Sequence, residues 1–522
     1  MRWLALAAAA SVAPLPAAAQ GSRFWRAEER AVISDFSVVV ALAATDRLVF
    51  VATRNGLGLY DRQFRRWEPP ITFVDGYPRE PVRAALADPT DESVWLATAQ
   101  GLIRYRPVLR RFESVVIPGG VRAMFYDRDD PFRGIYVLTG GGWELLPGGS
   151  FIPMPATGLP PPGRRVGQLT LDEFFARQPV ADAMRGVVLT DERFRTFRYT
   201  SAVAVPLAEE YYLGTDGLGV IRLDALIAQF ERLPFGLLAP GVGALLAVHG
   251  GVWAGTDHRS RRSGLTFVGE DLQRYAYREG PRATGLGITG VRALLGRGDE
   301  IWAATDRGVW RFAPDGDARR LGTAQGLPDE DTFALAQGPS GVWVGTAFGL
   351  AFVTNDGVVR RLGRGVPVPV LALSAARDTV WVGTTDGLGR ATPDQGIFLP
   401  ADVAAVPDLK TAIVAIAQVA DTVVVSSIDR IIWRAPGEEW RVERLVSPDL
   451  GAVFALAPDA GGVWIGGQRG IAFFRFAIRD YRFYRVPGDV PGPVRDLVVN
   501  GEYLWVATEA GLVRFAREAL IP

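Results

Sequence analysis

The chain contains no cysteine and only two histidines, His249 and His258, in 522 residues. The first absence removes disulfides, thiol nucleophiles and zinc-thiolate sites. The second leaves little for imidazole catalysis or a multi-histidine metal centre. Lysine occurs once, at Lys410, so arginine carries nearly all the basic charge. Net charge is lacking too: 57 basic residues balance 57 acidic ones, so the chain has no overall attraction for nucleic acid or an anionic membrane. Beyond the N-terminus no uncharged apolar run reaches the roughly 18 residues that a membrane helix needs. The best stretch, 411–428, is broken by Gln418 and Asp421, so no membrane span is expected. Nothing here implies a cofactor or a bound metal.

Glycine, proline and tryptophan are abundant, at 60, 36 and 14 residues, and they describe a turn-rich, aromatic-rich, mostly β chain. The N-terminus has a different character. Arg2, the apolar stretch from Trp3 to Val12 and the run Ala17-Ala18-Ala19 have the form of an export signal cut before Gln20. Residues 1–19 are therefore expected to be a signal peptide, and the mature protein to be periplasmic or extracellular.

The rest is organised by a repeat. A threonine-type slot recurs at Thr53, Thr98, Thr139, Thr215, Thr256, Thr305, Thr346, Thr384, Ser427, Gly467 and Thr508. Most spacings are close to 41, and one gap, between Thr139 and Thr215, is 76. Periods near 40 indicate propellers or solenoids. Three residues before the slot stands an aromatic in every copy but one, where Val424 takes its place; this position accounts for seven of the 14 tryptophans. Each core, such as Val342-Trp343-Val344-Gly345-Thr346, is apolar on both strand faces, so its sheet must be sandwiched between neighbours. A large-then-small pair such as Trp343 and Gly345 lets the next sheet approach over the glycine. An upstream Val-x-Ala-Leu strand and a downstream charged, aromatic strand complete four strands per unit, the make-up of a propeller blade.

The sequence thus predicts an all-β propeller of about twelve four-stranded blades. Two six-bladed rings in tandem, 20–280 and 281–522, are expected; one large ring, or seven blades plus five, are the alternatives. An outer-type strand near 24–28 is placed to complete the last blade. The long gap holds a Pro-rich insertion near 147–186, a short helix over 171–177 and a degenerate strand pair over 187–199.

The set Gly326-Leu327-Pro328, Phe333-Ala334-Leu335, Gly341 to Thr346 and Gly349-Leu350 resembles the two-component regulator propeller repeat. The resemblance implies either the periplasmic sensing part of a hybrid sensor kinase, often responding to oligosaccharides, or a stand-alone exported propeller of surface or secretion machinery. This sequence carries no kinase or regulator domain, so the stand-alone form is the expectation.

The variable residue of Val-x-Ala-Leu is placed at the channel mouth and is arginine in four units: Arg83, Arg122, Arg292 and Arg495. A guanidinium fork suits carboxylate or phosphate. These arginines are expected to form an anion-binding mouth, unless each is paired with an acid on the next blade. An enlarged turn adds His258, Arg259, Arg261 and Arg262 as a second cationic feature. The acidic run Asp127-Arg128-Asp129-Asp130 reads as turn chemistry. The expected function is binding of an oligosaccharide or acidic glycan, or of an envelope protein, through the loop face. A lyase or hydrolase acting on envelope polysaccharide, and a scaffold subunit of a surface assembly, are the alternatives; catalysis is not expected, because the histidines are few and fall on opposite faces.

Overall fold

The computed structural model describes residues 25–520, apart from 183, 187, 188, 192, 206, 207, 258–261, 280–289, 316, 363–367, 377, 378 and 445–449. Among these residues the chain is an all-β propeller of twelve antiparallel sheets: ten with four strands, one with five and one with two. Eleven sheets are blades, numbered here in chain order: 39–67, 84–116, 123–167, 199–233, 242–278, 293–321, 332–362, 370–398, 415–444, 453–485 and 494–516. The outer strand of blade 11 is Arg30–Ile33, paired with Gly511–Ala516. The N-terminal completion of the last blade is therefore present, a few residues later than the sequence suggested.

The slot threonines act as staples of the second hairpin in most blades. Thr346 Oγ1 donates to Gly349 O at 2.9 Å and accepts from Phe348 N at 3.2 Å. Thr53, Thr305, Thr384 and Thr508 repeat the donation to their own glycine carbonyls. Each hydroxyl is buried and satisfied, as burial of a polar group requires. The aromatic slot supplies the interblade core, with Trp302, Trp343, Trp381, Trp464 and Trp505 all fully buried.

Close approach over the glycines decides which blades are neighbours. A Cβ on Gly345 of blade 7 would lie 2.7 Å from Val370 Cγ1 of blade 8, and one on Gly466 of blade 10 would lie 2.6 Å from Val494 Cγ1 of blade 11. Gly214 of blade 4 breaks the sequential rule. Its partner at 2.6 Å is Val39 of blade 1, not Val242 of blade 5. The inner strand of blade 11, Val494–Asn500, in turn abuts that of blade 5, Val242–Val248. Asn500 Nδ2 fastens this closure by donating to Val248 O and Gly251 O at 3.0 and 2.8 Å.

Blades 5 to 11 thus form a ring of seven, and blades 1 to 4 close on one another with the insertion between blades 3 and 4. The equal division into 20–280 and 281–522 is corrected accordingly: blade 5 packs with the later blades, and the first ring ends before residue 242. Seven plus five is the nearer of the two alternatives, with the insertion standing in for a fifth blade.

Because strand Arg30–Ile33 belongs to the second ring, the whole first ring is inserted between two parts of it. Two connectors, 34–38 and 234–241, cross side by side, with Leu237 N donating to Ser34 O at 2.9 Å. Phe235 stacks on Trp67 at 4.1 Å and on Phe36 at 4.9 Å.

The expected helix is Leu171–Arg177, capped by Thr170, whose Oγ1 accepts from Glu173 N at 3.2 Å. Its Phe174 and Phe175 cover Tyr211, Leu213 and Ile221 of blade 4, taking the place of a blade face. The degenerate pair is reduced to Leu189–Thr190 and Thr196–Phe197. The insertion also sends strand Arg165–Gly167 along the free inner edge of blade 3, so this fifth strand lies on the channel side of the first ring. Gln168 Oε1 accepts from Ala85 N of blade 2 at 3.0 Å. No helix among the described residues is long and apolar enough to cross a membrane.

Candidate functional site

The variable residue of Val-x-Ala-Leu is a β-bulge in every blade. In seven blades the register skips it, as between Val39 and Ala41 or Val494 and Asp496. In the other four its amide joins the carbonyl opposite the next residue: Arg83 N to Ala97 O, Arg122 N to Leu138 O, Arg292 N to Ala304 O and Val414 N to Ser426 O. A bulge leaves one residue out of the ladder and re-aims its side chain. In every blade but blade 5, where it is Gly243, a side chain is therefore presented at the loop end of the Val-x-Ala-Leu strand, which is innermost in all blades except blade 3, where Arg165–Gly167 lies inside it.

The four predicted arginines separate into two kinds. Arg292 of blade 6 is paired with Asp331, at the start of blade 7, and its guanidinium lies 4.6 Å from the Phe333 ring centroid. Arg495 of blade 11 is paired with Glu509 in its own hairpin turn and lies 5.5 Å from Phe454. Arg83 and Arg122, on adjacent blades of the first ring, are exposed, and no ion-pair partner stands beside either among the described residues. Ring membership settles the grouping: Arg83 and Arg122 belong to one mouth, and Arg292 and Arg495 to the other, where Gly243 of blade 5 lies between them.

Of the cluster predicted on the enlarged turn of blade 5, only Arg262 is described. His258, Arg259 and Arg261 lie outside the described residues. Arg262 is buried rather than protruding: its Nη2 meets Glu279 Oε1 at 2.9 Å and its guanidinium lies 5.0 Å from the Tyr277 ring. Burial pushes the Glu279 carboxyl up, but Arg195 and Arg262 outweigh it and hold the group below its ordinary range. Arg262 is therefore a structural residue, since a buried guanidinium needs a paired carboxylate. Asp127 is similar. Arg164 grips it through Nε and Nη2 at 2.9 and 2.6 Å and keeps its carboxyl low, anchoring the strand at the channel of the first ring. His249 is exposed in the turn at the opposite end of blade 5.

The tandem geometry creates a cleft that periodicity did not reveal. A cavity of about 260 Å³ lies where the loop faces of the two rings meet, with Arg54, Asn55, Phe73 and Arg79 on the first ring facing Pro240 and Glu509. Arg79 lies 4.4 Å from the Phe73 ring. Arg54 and Arg79 are exposed and, like Arg83 and Arg122, have no ion-pair partner among the described residues. Glu509, on the far wall, is the partner of Arg495. The repeat pattern singled out none of Arg54, Phe73 and Arg79. Phe73 and Arg79 belong to the connector between blades 1 and 2, where no repeat position flags them.

Compared by sequence, the chain matches no family model and no curated protein. Solved structures show the fold. The PorZ component of the type-IX secretion system of Porphyromonas gingivalis is 12% identical, with 94% of this chain and 87% of that chain covered and a TM-score of 0.57. The extracellular domain of a hybrid two component system of B. thetaiotaomicron is 13% identical over 91% of this chain and 69% of that chain, with a TM-score of 0.43. Virginiamycin B lyase from Staphylococcus aureus is 18% identical over 53% of this chain and 95% of that one, with a TM-score of 0.44.

Proposed function

We propose that the protein is an exported binding module of the bacterial envelope, and that the loop face of its first ring captures an acidic glycan. The carrying observation is a set of four exposed guanidiniums, Arg54, Arg79, Arg83 and Arg122, none of them in a salt bridge among the described residues, on the ring whose cleft has an aromatic wall. Arginine forks match carboxylate and sulfate oxygens, and a half-buried ring such as Phe73 offers an apolar face to a sugar. The signal-like residues 1–19 support export, and PorZ, a protein of similar fold, is a bacterial surface component. Binding is favoured over catalysis because the exposed charges that the first ring brings to this cleft are guanidiniums, which do not exchange protons near neutral pH, and the carboxylate on the far wall, Glu509, is held by Arg495. A protein partner in a surface or secretion assembly is the second reading, favoured by the exposed apolar side chains of Val108 and Leu109 on the same ring.

Titration of the mature chain with oligogalacturonate at several salt concentrations tests the reading. Binding should weaken as salt rises, and Arg83→Ala with Arg122→Ala should lower affinity at least about tenfold and flatten the salt dependence, as loss of two charge-assisted contacts requires. An unchanged affinity and an unchanged salt dependence in the double variant would sink it.

A further inference from the structure

The seven-bladed ring has a mouth of different chemistry, independent of the proposal above. Its bulge residues, from blade 6 round to blade 11, are Arg292, Phe333, Leu371, Val414, Phe454 and Arg495. The four central ones are half-buried and apolar, while the two arginines at the ends are exposed. Blade 5 contributes Gly243 between the arginines, where a Cβ would meet Val291 O at 2.1 Å, so no side chain closes that gap. Two residues deeper on blades 7 to 10 come Leu335, Leu373, Ile416 and Leu456, also half-buried, each packed against an interblade core. On an innermost strand the channel is the nearest solvent, so the exposed parts of these side chains line it. In blade 11 the matching residue, Leu497, is buried, and Asp496 before it turns its carboxylate to Leu245 N.

Two successive half-buried apolar tiers beside two exposed guanidiniums give this mouth an amphipathic lining. Arg292 and Arg495 are each held by a partly exposed carboxylate, and such pairs contribute little and exchange readily for a better anion. Each guanidinium also keeps donors that its carboxylate does not use. We infer that the mouth of the seven-bladed ring binds a single-chain amphiphile with an anionic head, its acyl chain against Phe333, Leu371, Val414 and Phe454 and its acid between Arg292 and Arg495.

Isothermal titration of the mature chain with decanoate and with decanol, below their aggregation limits, tests this. One decanoate should bind per chain, at least tenfold more tightly than decanol, and removing two methylenes from the chain should weaken binding about tenfold. Arg292→Gln with Arg495→Gln should abolish the preference for the acid while leaving decanol binding in place. Val414→Asp, at a rim position outside the packed cores, should reverse the preference. Absence of saturable decanoate binding, or binding that neither variant alters, overturns the inference. The outcome is separable from the glycan reading through Arg292→Gln and Val414→Asp, since neither residue lines the first-ring cleft, whereas Arg495 pairs with Glu509 on the wall of that cleft.

Discussion

Replacing Asp496 with asparagine probes the closure of the seven-bladed ring. Asp496 sits where blade 11 meets blade 5: its Oδ2 accepts from Leu245 N at 2.7 Å and its Oδ1 from Leu497 N at 2.8 Å. Burial nevertheless pushes its carboxyl up from 3.8 to about 6, because the two amide bonds do not offset the desolvation of the charge. A folded-state value raised above the unfolded one means that the fold binds the proton more tightly. The group therefore supports the fold at low pH, and that support is lost as pH rises from about 4 through 6. A rise of about two units corresponds to roughly 3 kcal/mol withheld from the native state at pH 7.5. Asparagine removes the charge but keeps only one acceptor oxygen, leaving one amide poorly satisfied at a cost of about 1 kcal/mol. The variant should therefore be about 2 kcal/mol more stable at pH 7.5, a rise on the order of 4 °C in Tm for the ring transition. At pH 4.5 the wild-type carboxyl is mostly protonated in the fold, and the gap should close to about zero. Scanning calorimetry of both proteins at the two pH values measures it. Equal Tm differences at pH 7.5 and 4.5, of either sign, would refute the assignment of a desolvated carboxylate at the ring closure.

Two further outcomes follow from the packing. Gly345→Ala places a methyl 2.7 Å from Val370 Cγ1 and 2.9 Å from Val370 O, and overpacking of that kind should lower stability by about 1 to 3 kcal/mol in denaturant titration. Gly140→Ala, where a Cβ meets nothing within 4 Å, is the control and should be near neutral. Phe235→Ala removes the ring stacked between Trp67 and Phe36 and should cost about 3 to 5 kcal/mol. The loss should appear as a splitting of one calorimetric transition into two and as protease cleavage within 234–241; a single, merely shifted transition would count against the two rings being coupled through that aromatic contact.

Much of the blade was legible in the chain. Thr346, Trp343 and Gly345 occupy their slots because a hairpin staple, an interblade rung and a point of close approach are local demands, repeated once per unit. The helix Leu171–Arg177 was legible for the same reason, since its cap and its apolar face lie within one short segment. The channel-mouth position was also found, and the bulge explains why it varies: a residue outside the ladder is free of the pairing that fixes its neighbours. Pairing with an acid on the next blade was foreseen as an alternative and holds for Arg292, but which of the four arginines are paired, and the burial of Arg262, were not legible, because each depends on what another segment brings alongside.

The sequence by itself determined the blade, its strand order, the completion of the last blade from the N-terminal side, and the one variable position of each first strand. Only the tertiary structure decided how many blades share a ring. Gly214-Thr215 and Gly345-Thr346 present the same local surface, yet one receives Val39 from the distant start of the chain and the other Val370 from the next blade. Ring closure is a competition between equivalent apolar faces, settled by the connectors 34–38 and 234–241, and a local pattern repeated on every blade cannot distinguish the winners.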